Sequence, residues 1–149
     1  QTGAFTRKVL TERLQDDRFY ITDRIFISQK DIREVQLAKS AIYSAVMAVL
    51  SKAGIGLCQL SKVYLAGGFG YYINCRNAVK MGLLPKETED KIITAGNSAG
   101  AGAIECLLSE KRTQACAQIA ENCETIELSN EEVFMEEFIK NMDFKRICS

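Results

Sequence analysis

The run Val63-Tyr64-Leu65-Ala66-Gly67-Gly68-Phe69-Gly70 carries an apolar strand directly into three glycines within four residues. Backbone without side chains can approach a ligand or an adjoining helix closely, so the junction suits either nucleotide contact or tight packing. A weaker version recurs at Ile92-Ile93-Thr94-Ala95-Gly96, followed by Asn97-Ser98-Ala99-Gly100-Ala101-Gly102-Ala103. Neither junction has the spacing G-x-G-x-x-G, and G-x-x-x-x-G-K-[ST] does not occur. Ordinary dinucleotide-binding and P-loop readings therefore lose most of their support.

A second group of chemically able side chains lies upstream. Lys39 stands between Val35 and Ile42 on an apolar helical stripe, with Gln36 and Tyr43 on the neighbouring ridge. A lysine there can snorkel, pair with an acid, or meet a bound anion or ribose. Amide, cation and phenol together suit the holding of a nucleoside and its proximal phosphate. They do not by themselves cleave anything.

Several classes of chemistry are excluded or weakened. Histidine is absent, which removes the Ser-His-Asp triad, imidazole acid–base catalysis and His-containing metal sites. Asp31 and Glu34 read as helix N-terminal charges, and Asp16-Asp17 and Glu131-Glu132 as solvated faces. No carboxylate pair stands out as catalytic, and phosphoryl transfer needs metal-holding oxygens beside phosphate donors. Lys plus Arg and Asp plus Glu balance at 19 each, which argues against a general nucleic-acid-binding surface. The six cysteines contain no C-x-x-C pair. Cys106 falls in an apolar helical pattern and is expected as a buried free thiol. Cys116 and Cys123, seven apart, lack further close ligands for an iron–sulfur cluster. Free thiols suit a reducing cytoplasm, and no apolar segment reaches the length of a membrane span.

The elements that must position these residues follow from periodicity. Thr6–Leu14 reads as a short helix, and Phe19-Tyr20-Ile21 with Ile25-Phe26-Ile27 as a hairpin around Thr22-Asp23-Arg24. Ser28 and Asp31 form a capping box for a long helix with Ile32, Val35, Ile42, Val46 and Val49 on its apolar stripe. Gly54 or Gly56 stops it. Then come strand 62–66, helix 72–81, strand 91–95 and helix 98–109, an order that implies βαβ units with parallel strands. Asn97 or Ser98 caps the last of these, whose Ala/Gly surface permits close packing. Residues 112–122 read as a helix and Glu124–Leu128 as an edge strand. Ser129 and Glu132 form a second capping box before a helix burying Val133, Phe134, Phe138 and Met142. The whole reads as one α/β domain over 1–149, with a core at 19–109 and a C-terminal helical extension at 110–149.

Four blocks in order resemble one family. They are Gln29-Lys30-Asp31-Ile32-Arg33-Glu34-Val35-Gln36-Leu37-Ala38-Lys39-Ser40-Ala41-Ile42, Leu65-Ala66-Gly67-Gly68-Phe69-Gly70, Gly82-Leu83-Leu84-Pro85 and Gly96-Asn97-Ser98-Ala99-Gly100-Ala101-Gly102-Ala103. They resemble the C-terminal portion of the ATP-dependent reductive activators of corrinoid proteins, whose core belongs to the actin/Hsp70/sugar-kinase ATPase superfamily. The resemblance implies one lobe of an actin-like, ribonuclease H-like ATPase, a mixed sheet with flanking helices and a C-terminal helical appendage. It implies that Gly67, Gly68, Phe69 and Gly70 form the adenosine motif, with Gln36, Lys39, Ser40 and Tyr43 facing the nucleoside. The Gly/Ala-rich helix after Asn97 resembles a connecting motif beside the cleft.

Both phosphate loops and the acidic strand of that superfamily have no counterpart in residues 1–149. The chain therefore reads as half of a nucleotide cleft in a larger protein. In the intact protein the resemblance implies ATP or ADP with Mg²⁺, a [2Fe-2S] centre in a separate N-terminal domain, a corrinoid protein as partner and a possible homodimer. The implied activity is ATP-coupled electron delivery that returns Co(II) corrinoid to Co(I) for methyl transfer. A non-catalytic dimerisation or regulatory lobe, or a sugar or acyl kinase relative, is the alternative.

Overall fold

Local signals set the start of the first long helix. In the computed structural model, which describes residues 16–144, the Asp31 N–H donates to Ser28 Oγ (3.2 Å) and the Ser28 N–H donates to Asp31 Oδ2 (2.8 Å). The expected capping box thus opens helix α1 (Gln29–Ala53), and Gly54 at φ 66° closes it. Before it, strands β1 (Arg18–Tyr20) and β2 (Phe26–Ser28) pair antiparallel as the expected hairpin. The helix expected at Thr6–Leu14 lies outside the described residues.

The buried face of α1 differs from the expected stripe. Lys39, Ser40, Ser44, Ala48 and Leu50 are buried, whereas Val35 and Val49 are exposed. The small side chains at 40, 44 and 48 form an i, i+4 ridge on which another helix can lie close. That helix is α6 (Glu132–Lys140). Ile42 and Val46 instead meet the apolar cluster of Ala78, Val79, Leu83 and Leu84, together with Leu65, Ile73 and Ile92.

Strand β3 (Val63–Ala66) runs parallel to β4 (Ile92–Gly96), with Val63 opposite Ile92 and Ala66 opposite Gly96 across a register shift at Leu65/Ala66. The parallel crossover is as expected from the alternating pattern. The two strand pairs form separate sheets in the described residues, giving a mixed α/β lobe. The helix expected at 72–81 is broken at Ile73–Asn74. The glycine run is itself helical as α2 (Gly67–Tyr72), and α3 (Cys75–Met81) restarts where Asn74 Oδ1 accepts from the Asn77 N–H (3.0 Å). The Asn74 side chain supplies a new N-cap, a stronger local signal than the continuous apolar pattern.

Asn97 caps α4 (Ser98–Leu108), accepting from the Gly100 N–H at 3.0 Å, and α5 (Glu110–Glu121) follows after Ser109. Helix α4 was expected to pack closely through its small residues. Among the described residues it packs against α5, and Leu107 and Leu108 remain 86% and 80% exposed.

The strand expected at Glu124–Leu128 is absent. Ile126 and Leu128 are partly buried while Glu127 is exposed, so the alternation reports an extended chain on a surface, not a hydrogen-bonded ladder. The second capping box also fails to form. Ser129 lies in a 3-10 turn at Leu128–Asn130, its hydroxyl donating to Glu127 Oε1 (2.9 Å), and Glu131 precedes α6 without a side-chain cap.

The C-terminal helical appendage returns along α1. Lys52 pairs with Glu131 (3.1 Å) at one end, and Gln36 Nε2 donates to Asp143 Oδ1 (3.5 Å) at the other, so the helices run antiparallel. Phe134 and Phe138 stack with centroids 5.8 Å apart, and both are half-buried with Val133.

Candidate functional site

Parallel pairing brings the two strand–glycine junctions side by side. Ala66 and Gly96 are partners in register, so Gly67 and Asn97 follow from the same, carboxyl end of the strand pair. In open α/β folds that end is where ligands collect, because the loops diverge there and leave a crevice.

Each glycine of the first junction does something different. Gly67 adopts φ 79°, the left-handed backbone that lets β3 turn straight into α2. Gly70 is buried against β3, and a Cβ there would stand 2.9 Å from the Leu65 carbonyl carbon. That glycine is required by packing. Gly68 is the opposite case, since a Cβ added there would meet no atom within 4 Å. It borders an open cavity of about 520 Å³ lined by Gly68, Phe69, Tyr72 and Ile73. Phe69 and Tyr72 are 66% and 85% exposed, so two aromatic faces remain available. Tyr71 stands edge-on to Tyr72, ring centroids 5.1 Å apart.

The α1 residues form a second, separate grouping. Lys39 is 2% exposed; its ammonium donates to the Asn141 and Asp143 carbonyls, the latter at 2.9 Å, and lies 5.3 Å from the Phe144 ring centroid. Ser40 is fully buried and its hydroxyl donates to the Phe138 carbonyl. Gln36 reaches the Asp143 carboxylate. Tyr43 is half-buried; burial, then the negative charges of Glu137 and Glu87, push its phenol above its ordinary pKa. Gln36, Lys39 and Ser40 therefore come together on α6 and the segment behind it. None of these four α1 residues lines the cavity at Gly68.

Two features escaped the sequence reading. Tyr72 and Ile73 complete the cavity because α2 ends at Tyr72; the split at Asn74 was their available signal. Cys106, expected buried, is partly exposed, and its thiol donates to that of Cys116 at 3.3 Å. Their spacing of ten residues crosses the break at Ser109, so no single helical period pairs them. Among the described residues no three His, Cys, Asp or Glu side chains group as metal ligands, and no helix is long and apolar enough to cross a membrane.

Two parallel strands ending in glycine junctions at the same end of the pair, flanked by helices and closed by a helical appendage, define a mixed α/β lobe. The family model described as the C-terminal domain of RACo, the ASKHA domain, matches residues 5–147, and the chain belongs to that family. The chain is 40% identical over 120 residues to the corrinoid activation enzyme RamQ of Eubacterium limosum, covering 80% of this chain and 20% of that protein. It is 30% identical over 108 residues to the [Co(II) methylated amine-specific corrinoid protein] reductase of Methanosarcina barkeri, covering 72% of this chain and 20% of that protein. A solved structure of a reductive activator for corrinoid, iron-sulfur protein superposes with a TM-score of 0.78 at 33% identity, covering 93% of this chain and 24% of that one. The chain spans about a fifth of the length of the curated relatives it matches.

Proposed function

We propose that this chain is the nucleoside-holding lobe of a larger ATP-dependent activator that returns an inactive Co(II) corrinoid to Co(I). The observation that carries the reading is the open cavity at Gly68, beside the end of the parallel pair from which both glycine junctions start. Its volume, about 520 Å³, suits a small ligand, and its lining offers bare backbone at Gly68 with aromatic faces at Phe69 and Tyr72. An adenine and ribose fit that chemistry: flat, partly apolar, and able to approach backbone that has no side chain. ATP hydrolysis would supply the free energy for an electron transfer that is uphill for ordinary cellular donors.

In this reading the lobe binds and positions. Gly67 sets the turn, Gly68 admits the nucleoside, Phe69 and Tyr72 cover its faces, and Gly70 locks the junction onto β3. Gln36, Lys39, Ser40 and Tyr43 act behind it by holding α6 on α1, the wall that supports the apolar cluster. Phosphate contacts, Mg²⁺ and a [2Fe-2S] electron carrier belong to the remainder of the intact protein, as does the surface that meets the corrinoid protein. A second reading, a dimerisation or regulatory lobe whose glycines only pack, is favoured by the contact of Gly70 with Leu65.

Gly68→Val separates the two readings. A Cβ at Gly68 meets no atom of this chain within 4 Å, so the variant is expected to fold and to obstruct a ligand seated there. Calorimetric titration of the intact protein should then show ATP and ADP weakened alike, because both carry the same nucleoside. Unchanged affinity would reject the adenosine contact and leave the packing reading. Assay of the intact wild-type protein with its corrinoid partner should show Co(II) reduction only with ATP; reduction without nucleotide would reject the activator role.

A further inference from the structure

We propose that Cys106 and Cys116 are a redox-active dithiol, closed to an intramolecular disulfide by a peroxide-class oxidant and reopened by a thiol reductant. The two sulfurs lie 3.3 Å apart across the α4–α5 junction. A disulfide bond is about 2.05 Å, so closure needs a shift of roughly 1.3 Å, within reach of side-chain rotation. The approach is built by its surroundings. Thr113 Oγ1 donates to the Cys106 carbonyl (2.9 Å), and Arg112 Nε pairs with Glu105 Oε2 (3.4 Å), tying the first turns of α5 to the end of α4. These ties hold the thiols opposite each other whether or not the sulfurs are bonded.

The pair is asymmetric. Cys116 is exposed and accepts the hydrogen bond; Cys106 is partly sheltered and donates it. That bond, followed by burial, raises the Cys106 pKa, and the more exposed Cys116 meets the oxidant first. The Cys116 thiolate attacks one peroxide oxygen, the O–O bond breaks, and the sulfur becomes a sulfenic acid with release of water. The Cys106 sulfur then attacks the sulfenic sulfur and expels the second oxygen as water. Two electrons leave the sulfurs and reduce one peroxide to two waters, which take up both thiol protons. A small thiol reverses the bond through a mixed disulfide. Cys123 lies two residues past the end of α5, outside the helix that carries Cys116.

The test is thiol mapping on the chain within its intact protein, reduced and then given one equivalent of hydrogen peroxide. Remaining thiols are alkylated and the protein is digested with trypsin, which cuts at Lys111 and Arg112 between the two cysteines. The expected result is a peptide pair joined through Cys106 and Cys116, the loss of those two thiols before Cys58, and their recovery with dithiothreitol. Cys106→Ser should strand Cys116 as a dimedone-reactive sulfenic acid. Should that variant not fold, Cys116→Ser should leave Cys106 fully alkylatable. A Cys116–Cys123 link, a link between copies, or both thiols alkylated at a dose that oxidises Cys58 would overturn the proposal.

Discussion

A lysine ammonium at 2% exposure must be fully hydrogen-bonded, and Lys39 finds its partners in carbonyls about a hundred residues further on. The sequence marked Lys39 as the odd residue of an apolar stripe but left open snorkelling, ion pairing and anion contact. Its partners belong to the backbone of a distant segment, and backbone carbonyls carry no signature in residue type. Ser44, five residues further along α1, is the contrasting case: its hydroxyl is buried with no hydrogen-bond partner among the described residues. The two positions predict stability changes of opposite sign. Lys39→Met leaves two carbonyls without their charged donor and should destabilise the fold by about 2–4 kcal/mol. Ser44→Ala removes an unsatisfied polar atom at little cost in volume and should stabilise it by about 1 kcal/mol. Urea denaturation of both variants checks this; an unmoved midpoint for Lys39→Met would show that the ammonium is not an anchor.

Several elements were legible from local signals, although the equally local Ser129/Glu132 pattern formed no capping box. The start of α1, the hairpin turn and the Asn97 cap each depend on residues within a few positions of one another. The absent strand at Glu124–Leu128 was misread because alternation reveals which side chains turn inward, whereas pairing requires a neighbouring edge. The α1 cap also makes a testable acid limb. Hydrogen bonds from the Ser28 hydroxyl and then the Ser28 N–H hold the Asp31 carboxyl below its ordinary value of 3.8. A carboxylate with a depressed folded pKa stabilises above the unfolded value, and that contribution disappears as pH falls through the folded one. Helix content should therefore fall more steeply in wild type than in Ser28→Ala below the ordinary carboxylate range. At neutral pH the Ser28→Ala variant should be less stable by about 1 kcal/mol. Circular dichroism melts across pH 2 to 7 would read both effects; identical acid limbs would remove the role given to this cap.

At the scale of the whole molecule, the order of the four blocks was enough to point to the family, because each block is a strand or helix boundary with its own residue chemistry. What the order could not show is which of those residues share a surface. The α1 residues turn to α6, while the glycine junctions meet at the strand ends through the β3–β4 register. The cavity at Gly68 is open, with its described walls drawn from one short segment, Gly68 to Ile73. A nucleoside seated there is gripped from one side only, and in the proposed cleft the opposing wall would come from outside this segment, which spans about a fifth of the relatives' length. Affinity in a two-walled cleft comes from both walls and from the phosphate contacts of the second, so one wall alone retains a small part of it. Residues 1–149 by themselves should consequently bind ATP and ADP weakly and with no preference between them, while the intact protein binds both more tightly and distinguishes them at the γ-phosphate. Parallel calorimetric titrations of the two proteins measure this directly. Equal, tight binding by residues 1–149 alone would mean that the whole site lies within this lobe, and the half-cleft reading would have to be abandoned.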